Sequence, residues 1–213
     1  MATYETSVKT REALIHAAGE LAAEKGFASV STRAIALRAG ENVGGIHYHF
    51  GSKEKLFEAV VRTVVQEWQA NPVNELISKH DTSAPEGQAR AIRAIAHRNI
   101  TLLFGRQSPR WHCRVIFQVM QSKGPLREIF QTEIIRPSHS AITALFQRID
   151  PAISDREAFL RILIMNTPIF FHADNMGFIL DSLHEQQYST EYLQHMEDLI
   201  VRQTQLLMGL PPD

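Results

Sequence analysis

The stretch from Ser31 to Lys55 packs three helix-start signals into a very short span, and few folds accommodate punctuation that dense. Ser31 can cap a short helix over Thr32–Ala39. Gly40 then supplies a tight turn, because glycine enters left-handed backbone at little cost. Asn42 can cap a second short helix over Val43–Phe50. Gly51 stops that helix, and Ser52 caps the next one, which begins at Lys53. Two short helices about a tight glycine turn form a helix-turn-helix, whose second helix fits a DNA major groove.

The second helix suits that role. Gly44 and Gly45 each cost roughly 1 kcal/mol against alanine in a helix interior, which makes sense where backbone must come close to something. His47, Tyr48 and His49 add donors and aromatic faces to a segment too short to be a core helix. Lys53 stands at a helix N-terminus, where backbone N–H groups already favour a phosphate. His47 and His49 do not form a metal site, since side chains that meet on a helix are three or four residues apart.

The remainder of the chain reads as helices with no convincing strand. Thr6–Lys25 is the first, with Leu14, Ala18, Leu21 and Ala22 on one face. In Lys53–Asn71 the residues Leu56, Val60, Val64 and Trp68 step by four, and Asn71-Pro72 marks its end. A loop over 71–88 with one short turn at Val73–Ser78 leads to a helix from Glu86 to Phe104. Ser108-Pro109 opens another helix, which Lys123-Gly124-Pro125 stops. Leu126–Ile149 follows, with a kink expected at Pro137. Asp155–Leu183 has a capping-box start at Ser154 and is apolar nearly all round from Phe159 to Phe171. Ser189-Thr190 caps a last helix to Met208. The expectation is an all-α chain of about nine helices: a head over 1–52, a linking helix over 53–71, and a larger helical domain over 72–213.

Composition narrows the function classes. Net charge is −1 with 44% hydrophobic residues, so nothing favours nucleic acid globally. Within Ser31–Lys55 the bases Arg33, Arg38, Lys53 and Lys55 exceed the acids Glu41 and Glu54 by only two. That suits a protein with few phosphate contacts per subunit that gains affinity by dimerising. One cysteine, Cys113, excludes an internal disulfide, and a cytoplasmic setting fits. The longest uncharged apolar stretch, Ile162–Ala173, falls short of a bilayer span. No phosphate loop, metalloprotease motif or nucleophile elbow is present, so no catalytic residue, cofactor or metal is assigned.

Three spaced blocks carry a family resemblance: TREALIHAAGELAAEKGF (Thr10–Phe27), STRAIALRAG (Ser31–Gly40) and IHYHFGSKEKL (Ile46–Leu56). They resemble the DNA-binding domain of the TetR family of transcriptional regulators, over about the first quarter of the chain. Glu41 departs from the pattern, where the family usually has an apolar residue, and so does His47, often Tyr or Asn. The resemblance implies a DNA-binding set that includes the caps Ser31 and Asn42, and within it Thr32 and Arg33 reach phosphate or a base edge. It implies that Val43, Gly44, Gly45 and His47, behind the cap Asn42, face the major groove. Tyr48 and Lys53 would hold phosphates, and His49 and Phe50 would pack inside.

The same resemblance implies a palindromic double-stranded DNA operator and a homodimer formed by helices 155–183 and 190–208. It also implies repression relieved by a small-molecule effector bound in the helical domain; an activator, or a regulator without such a ligand, is the alternative. Polar groups in apolar surroundings there must find partners in each other or in a ligand. The candidate lining is His112, Arg114, Phe117, Met120, Phe130, Met165, Phe171, His172 and Asn175. Arg114 and the histidines would suit a flat aromatic or an amphipathic acid.

Overall fold

The computed structural model describes residues 2–105 and 109–211, with side chains from Glu5 onward. In chain order the helices are α1 (Ala2–Lys25), α2 (Thr32–Ala39), α3 (Val43–Phe50), α4 (Lys53–Gln69), α5 (Val73–Ser78) and α6 (Pro85–Phe104). They continue as α7 (Arg110–Gln121), α8 (Pro125–Phe130), α9 (Arg136–Ile149), α10 (Asp155–Asp174), α11 (Met176–Leu183) and α12 (Thr190–Leu207). A 3₁₀ turn at Phe27–Ser29 follows α1, and no strand occurs among the described residues. No helix among them is long and apolar enough to cross a membrane.

Two expected helices are divided. Asp155–Leu183 breaks at Asn175, whose side-chain amide donates to the Phe171 carbonyl at 3.1 Å. An asparagine that offers the backbone a competing partner ends a helix readily. Leu126–Ile149 is α8 and α9 joined by a wider π-helical stretch, Gln131–Ile135. The wide turn precedes Pro137, whose ring and missing N–H do not fit a regular α-turn. The cap expected at Ser108 lies outside the described residues; Pro109 directly precedes α7.

The chain forms two compact units. One comprises residues 1–67 and 108–133, the other residues 68–107 and 134–213. The units follow contacts and not chain order, so the segment 108–133 groups with the head.

In the first unit α1 is the spine. Its buried Leu14, Ala18, Leu21 and Ala22 back α2 and α3, whose Ile35 and Ile46 are fully buried. On another side α1 meets α7 through Gly19. A Cβ built there would lie 2.5 Å from the Trp111 ring, so the indole occupies the space a side chain would need.

In the second unit α6 is the central helix, with Ala89, Ile92, Ile95, Ala96 and Ile100 buried. It is pinned to α12: the nearly buried Glu197 lies 2.8 Å from His97 Nδ1 and 3.7 Å from Arg93, and Arg93 reaches Asp198 at 2.6 Å. Arg98, only 7% exposed, donates to the carbonyls of Trp68 (2.7 Å) and Asn71 and to Asn99 Oδ1 at 2.9 Å. A cation at the open C-terminal carbonyls of a helix is favourable, and the guanidinium also lies over the Trp68 ring. Burial pushes Arg98 down to about 10, so it stays charged at neutral pH.

Gly19→Ala should lower the stability of the protein by about 1–3 kcal/mol, since overpacking outweighs the gain in helix propensity. Urea unfolding at pH 7 tests this; unchanged or raised stability would mean that Trp111 moves aside freely.

Candidate nucleic-acid interface

The helix-turn-helix forms with the caps its sequence specifies. Ser31 Oγ accepts from the Ala34 N–H at 3.2 Å and Asn42 Oδ1 from the Gly44 N–H at 2.8 Å. Gly40 is left-handed at φ 69°, and the following Glu41 N–H donates to the Ala36 carbonyl at 2.9 Å. Glu41, polar where an apolar residue is usual, has its own partner: Thr10 Oγ1 donates to its Oε1 at 2.9 Å. The turn is thus tied to α1 by a hydrogen bond in place of an apolar contact.

The expected interface residues fall on one short segment of surface. Arg33, Gly44, His47 and Tyr48 are exposed, and Thr32, Val43 and Gly45 are half-buried. Tyr48 is 82% exposed, a large ring held in water by a helix with nothing of its own to cover it. His47 Nδ1 lies 3.1 Å from the Gly51 carbonyl, so that nitrogen carries the proton and Nε2 faces outward as an acceptor. His49 and Phe50 are half-buried: His49 meets Tyr48 edge-on at 4.9 Å, and Arg11 lies over Phe50 at 5.3 Å. Ser31 and Asn42 spend their side-chain oxygens on capping. Lys53 donates to the Val30 carbonyl at 3.2 Å, which ties the start of α4 to the segment before α2.

Charge in the head is more heavily paired than residue counting suggests. Arg38 bonds Glu20 and Glu24, each at 3.2 Å. The arginine holds the Glu24 carboxyl below the usual range, and the two glutamates raise Arg38 in turn. Lys55 pairs with Glu58 at 2.7 Å. Of the four bases counted in the sequence, only Arg33 and Lys53 form no ion pair among the described residues. Leu37, 85% exposed on α2, lies outside the expected interface set; its place in the short helix, one turn after Arg33, is the signal that marks it.

The expected ligand-lining residues divide between the units. His112, Arg114, Phe117, Met120 and Phe130 belong to the first, and Met165, Phe171, His172 and Asn175 to the second. Several polar members have partners within the protein. His112 Nδ1 lies 2.6 Å from Glu67. His172 Nδ1 faces the Pro168 carbonyl at 2.7 Å, so it donates, and Nε2 receives the Tyr192 hydroxyl at 3.0 Å. Tyr188 stacks on Tyr192 with ring centroids 5.2 Å apart, and burial, then the charge on Tyr192, pushes the Tyr188 hydroxyl up to about 12. Phe130 and Met165 are buried, whereas Arg114, Met120 and Phe171 are exposed. Among the described residues no group of three His, Cys, Asp or Glu side chains could hold a metal ion.

Residues 14–60 match the sequence profile of the bacterial regulatory proteins of the tetR family. The HTH-type transcriptional dual regulator CecR of Shigella flexneri is 30% identical over 126 residues, which are 55% of this chain and 54% of that protein. The chain therefore spans about half the length of that relative. A transcriptional regulator from Rhodococcus sp. Rha1 is structurally similar at a TM-score of 0.62 with 23% identity, covering 92% of this chain and 96% of the other. AibR, solved with isovaleryl coenzyme A and operator DNA, superimposes at a TM-score of 0.65 with 15% identity, covering 91% and 97%. Fold and head together define an all-α chain led by a helix-turn-helix. Over residues 14–60 the chain thus carries a helix-turn-helix head of the tetR family type.

Because Asn42 caps a helix too short to stand alone, Asn42→Ala should cost about 1 kcal/mol. Chemical denaturation compared with an Asn42→Asp control, which keeps an acceptor, checks this; equal loss in both would assign the effect to something other than the cap.

Proposed function

We propose that the chain is a transcriptional repressor that holds a palindromic operator as a homodimer and lets go when a small molecule binds its helical portion. The observation that carries the reading is the outer face of α3. A Cβ at Gly45 would meet only Leu14 Cδ1 at 3.7 Å, and one at Gly44 only Asn42 Oδ1 at 3.4 Å. Among the described residues nothing bars a Cβ at Gly45, and at Gly44 only the cap oxygen stands near, yet both glycines weaken the helix. Space outside, beside exposed His47 and Tyr48, is what close approach to base edges and phosphates needs. Bound operator DNA in the similar AibR structure supports the assignment, and a cytoplasmic place follows from the role.

Dimerisation rests on a second surface. Leu160, Leu163 and Phe171 on α10 and Leu199, Leu206 and Leu207 on α12 are exposed although both helices belong to a packed unit. On α12, Leu199 and Leu206 are two turns apart and share a face. An apolar surface spread over two adjacent helices marks a protein–protein contact, and a second copy of the chain is the occupant that a palindromic site calls for. Duplication supplies affinity that the sparsely charged head lacks. A regulator that takes no effector through the expected lining residues is the second reading, favoured by the internal partners of His112, His172 and Asn175.

Gly44→Ala should separate stability from function: the protein gains up to about 1 kcal/mol in unfolding, while affinity for DNA from the chain's own promoter region falls at least tenfold in a gel shift. Undiminished affinity would remove the groove-facing assignment of α3. For the dimer, Leu160→Arg with Leu206→Arg should halve the mass in sedimentation and abolish the shift at concentrations where the wild type binds; an unchanged mass would rule out this interface.

A further inference from the structure

We propose that a groove in the first unit, separate from the expected lining set, binds an amphipathic organic carboxylate. It lies between the end of α1 with its following turn, the first turns of α4, and the α7–α8 joint, and it encloses about 760 Å³. Small-molecule sites typically run from about 300 to 1,000 Å³ and are mostly apolar with a few polar groups. Phe27 and Phe57 meet edge-to-face at 5.0 Å, and with Leu126 and Ile129 they provide the apolar lining.

The charge around the groove selects the head group. Its carboxylates are already engaged: Glu58 receives Lys55 at 2.7 Å and Arg62 at 3.1 Å. Glu54 is held below the usual carboxylate range by its own backbone N–H, then by Ser52. Lys25 and Lys123, both exposed, also line the groove, and neither forms an ion pair among the described residues. Glu58 is balanced by Lys55, so Lys25 and Lys123 set against Glu54 leave the groove with a net unpaired charge of +1, and the side-chain amides of Gln118 and Gln121 add donors. An apolar body bearing one carboxylate satisfies both features, whereas a neutral or cationic compound leaves the lysines unanswered.

Occupancy would bridge α8 and the start of α4, and α4 begins two residues after α3 ends. Only this consequence for DNA rests on the regulator reading; binding itself does not.

The test uses the whole chain without DNA, with 8-anilinonaphthalene-1-sulfonate as a fluorescent amphipathic anion. Saturable binding at one site per chain is expected, displaced by dodecanoate and at least tenfold less well by dodecanol. Lys25→Glu with Lys123→Glu should weaken both the probe and dodecanoate at least tenfold while leaving the circular dichroism spectrum unchanged. Should that variant unfold, Lys25→Gln with Lys123→Gln replaces it with the same expectation. Absence of saturable binding, equal displacement by dodecanol, or unaltered affinity in the folded variant would overturn the site. A failed gel shift beside successful probe binding would remove the regulator reading and leave this one standing.

Discussion

Helices of eight residues do not persist alone in water, where about 12–15 residues are marginal even for good helix formers, and both α2 and α3 have eight. Their existence depends on what holds their ends and backs. Side-chain caps from Ser31 and Asn42 satisfy N-terminal donors, and left-handed Gly40 returns N–H groups to the end of α2. Burial of Ile35 and Ile46 against α1 supplies the remainder. That support lets α3 carry two glycines and an exposed tyrosine, a surface that would otherwise cost stability without return.

The two units solve different problems. In the first, α1 must back the short helices and also receive α7, and Gly19 makes the second contact possible by yielding its volume to Trp111. In the second, α6 is buried on several sides, so polar groups at its contacts must be answered locally: Glu197 of α12 by His97 and Arg93, Arg98 by the carbonyls of Trp68 and Asn71. With α6 enclosed in this way, the apolar surplus of the unit is left on α10 and α12, where another chain can cover it.

Much of this was legible in the residues. Caps, glycine turns and prolines act within a few positions, so the spans of α2, α3 and α5, the start of α10 at Ser154 and that of α12 at Ser189 are all as their local signals predict. The break at Asn175 was not, because asparagine within an apolar run leaves open whether it turns to the backbone or to a neighbouring helix. The wide turn before Pro137 was legible only as a kink. Of the candidate interface, the order Arg33, Gly44, Gly45, His47, Tyr48 was readable as a set, since α2 and α3 are adjacent in the chain.

By itself the sequence determined where the capped short helices begin and end, the apolar face of the amphipathic ones, and that a helix-turn-helix leads the chain, because those properties arise from interactions a few residues long. Only the tertiary structure decided that Arg38 is occupied by Glu20 and Glu24, that Thr10 answers Glu41, that Glu67 answers His112, and that Lys25 and Lys123 share one groove. Those bonded partners lie from 14 to 45 residues apart. A side chain's charge and shape state what partner it needs, and only the packed chain states which partner is near.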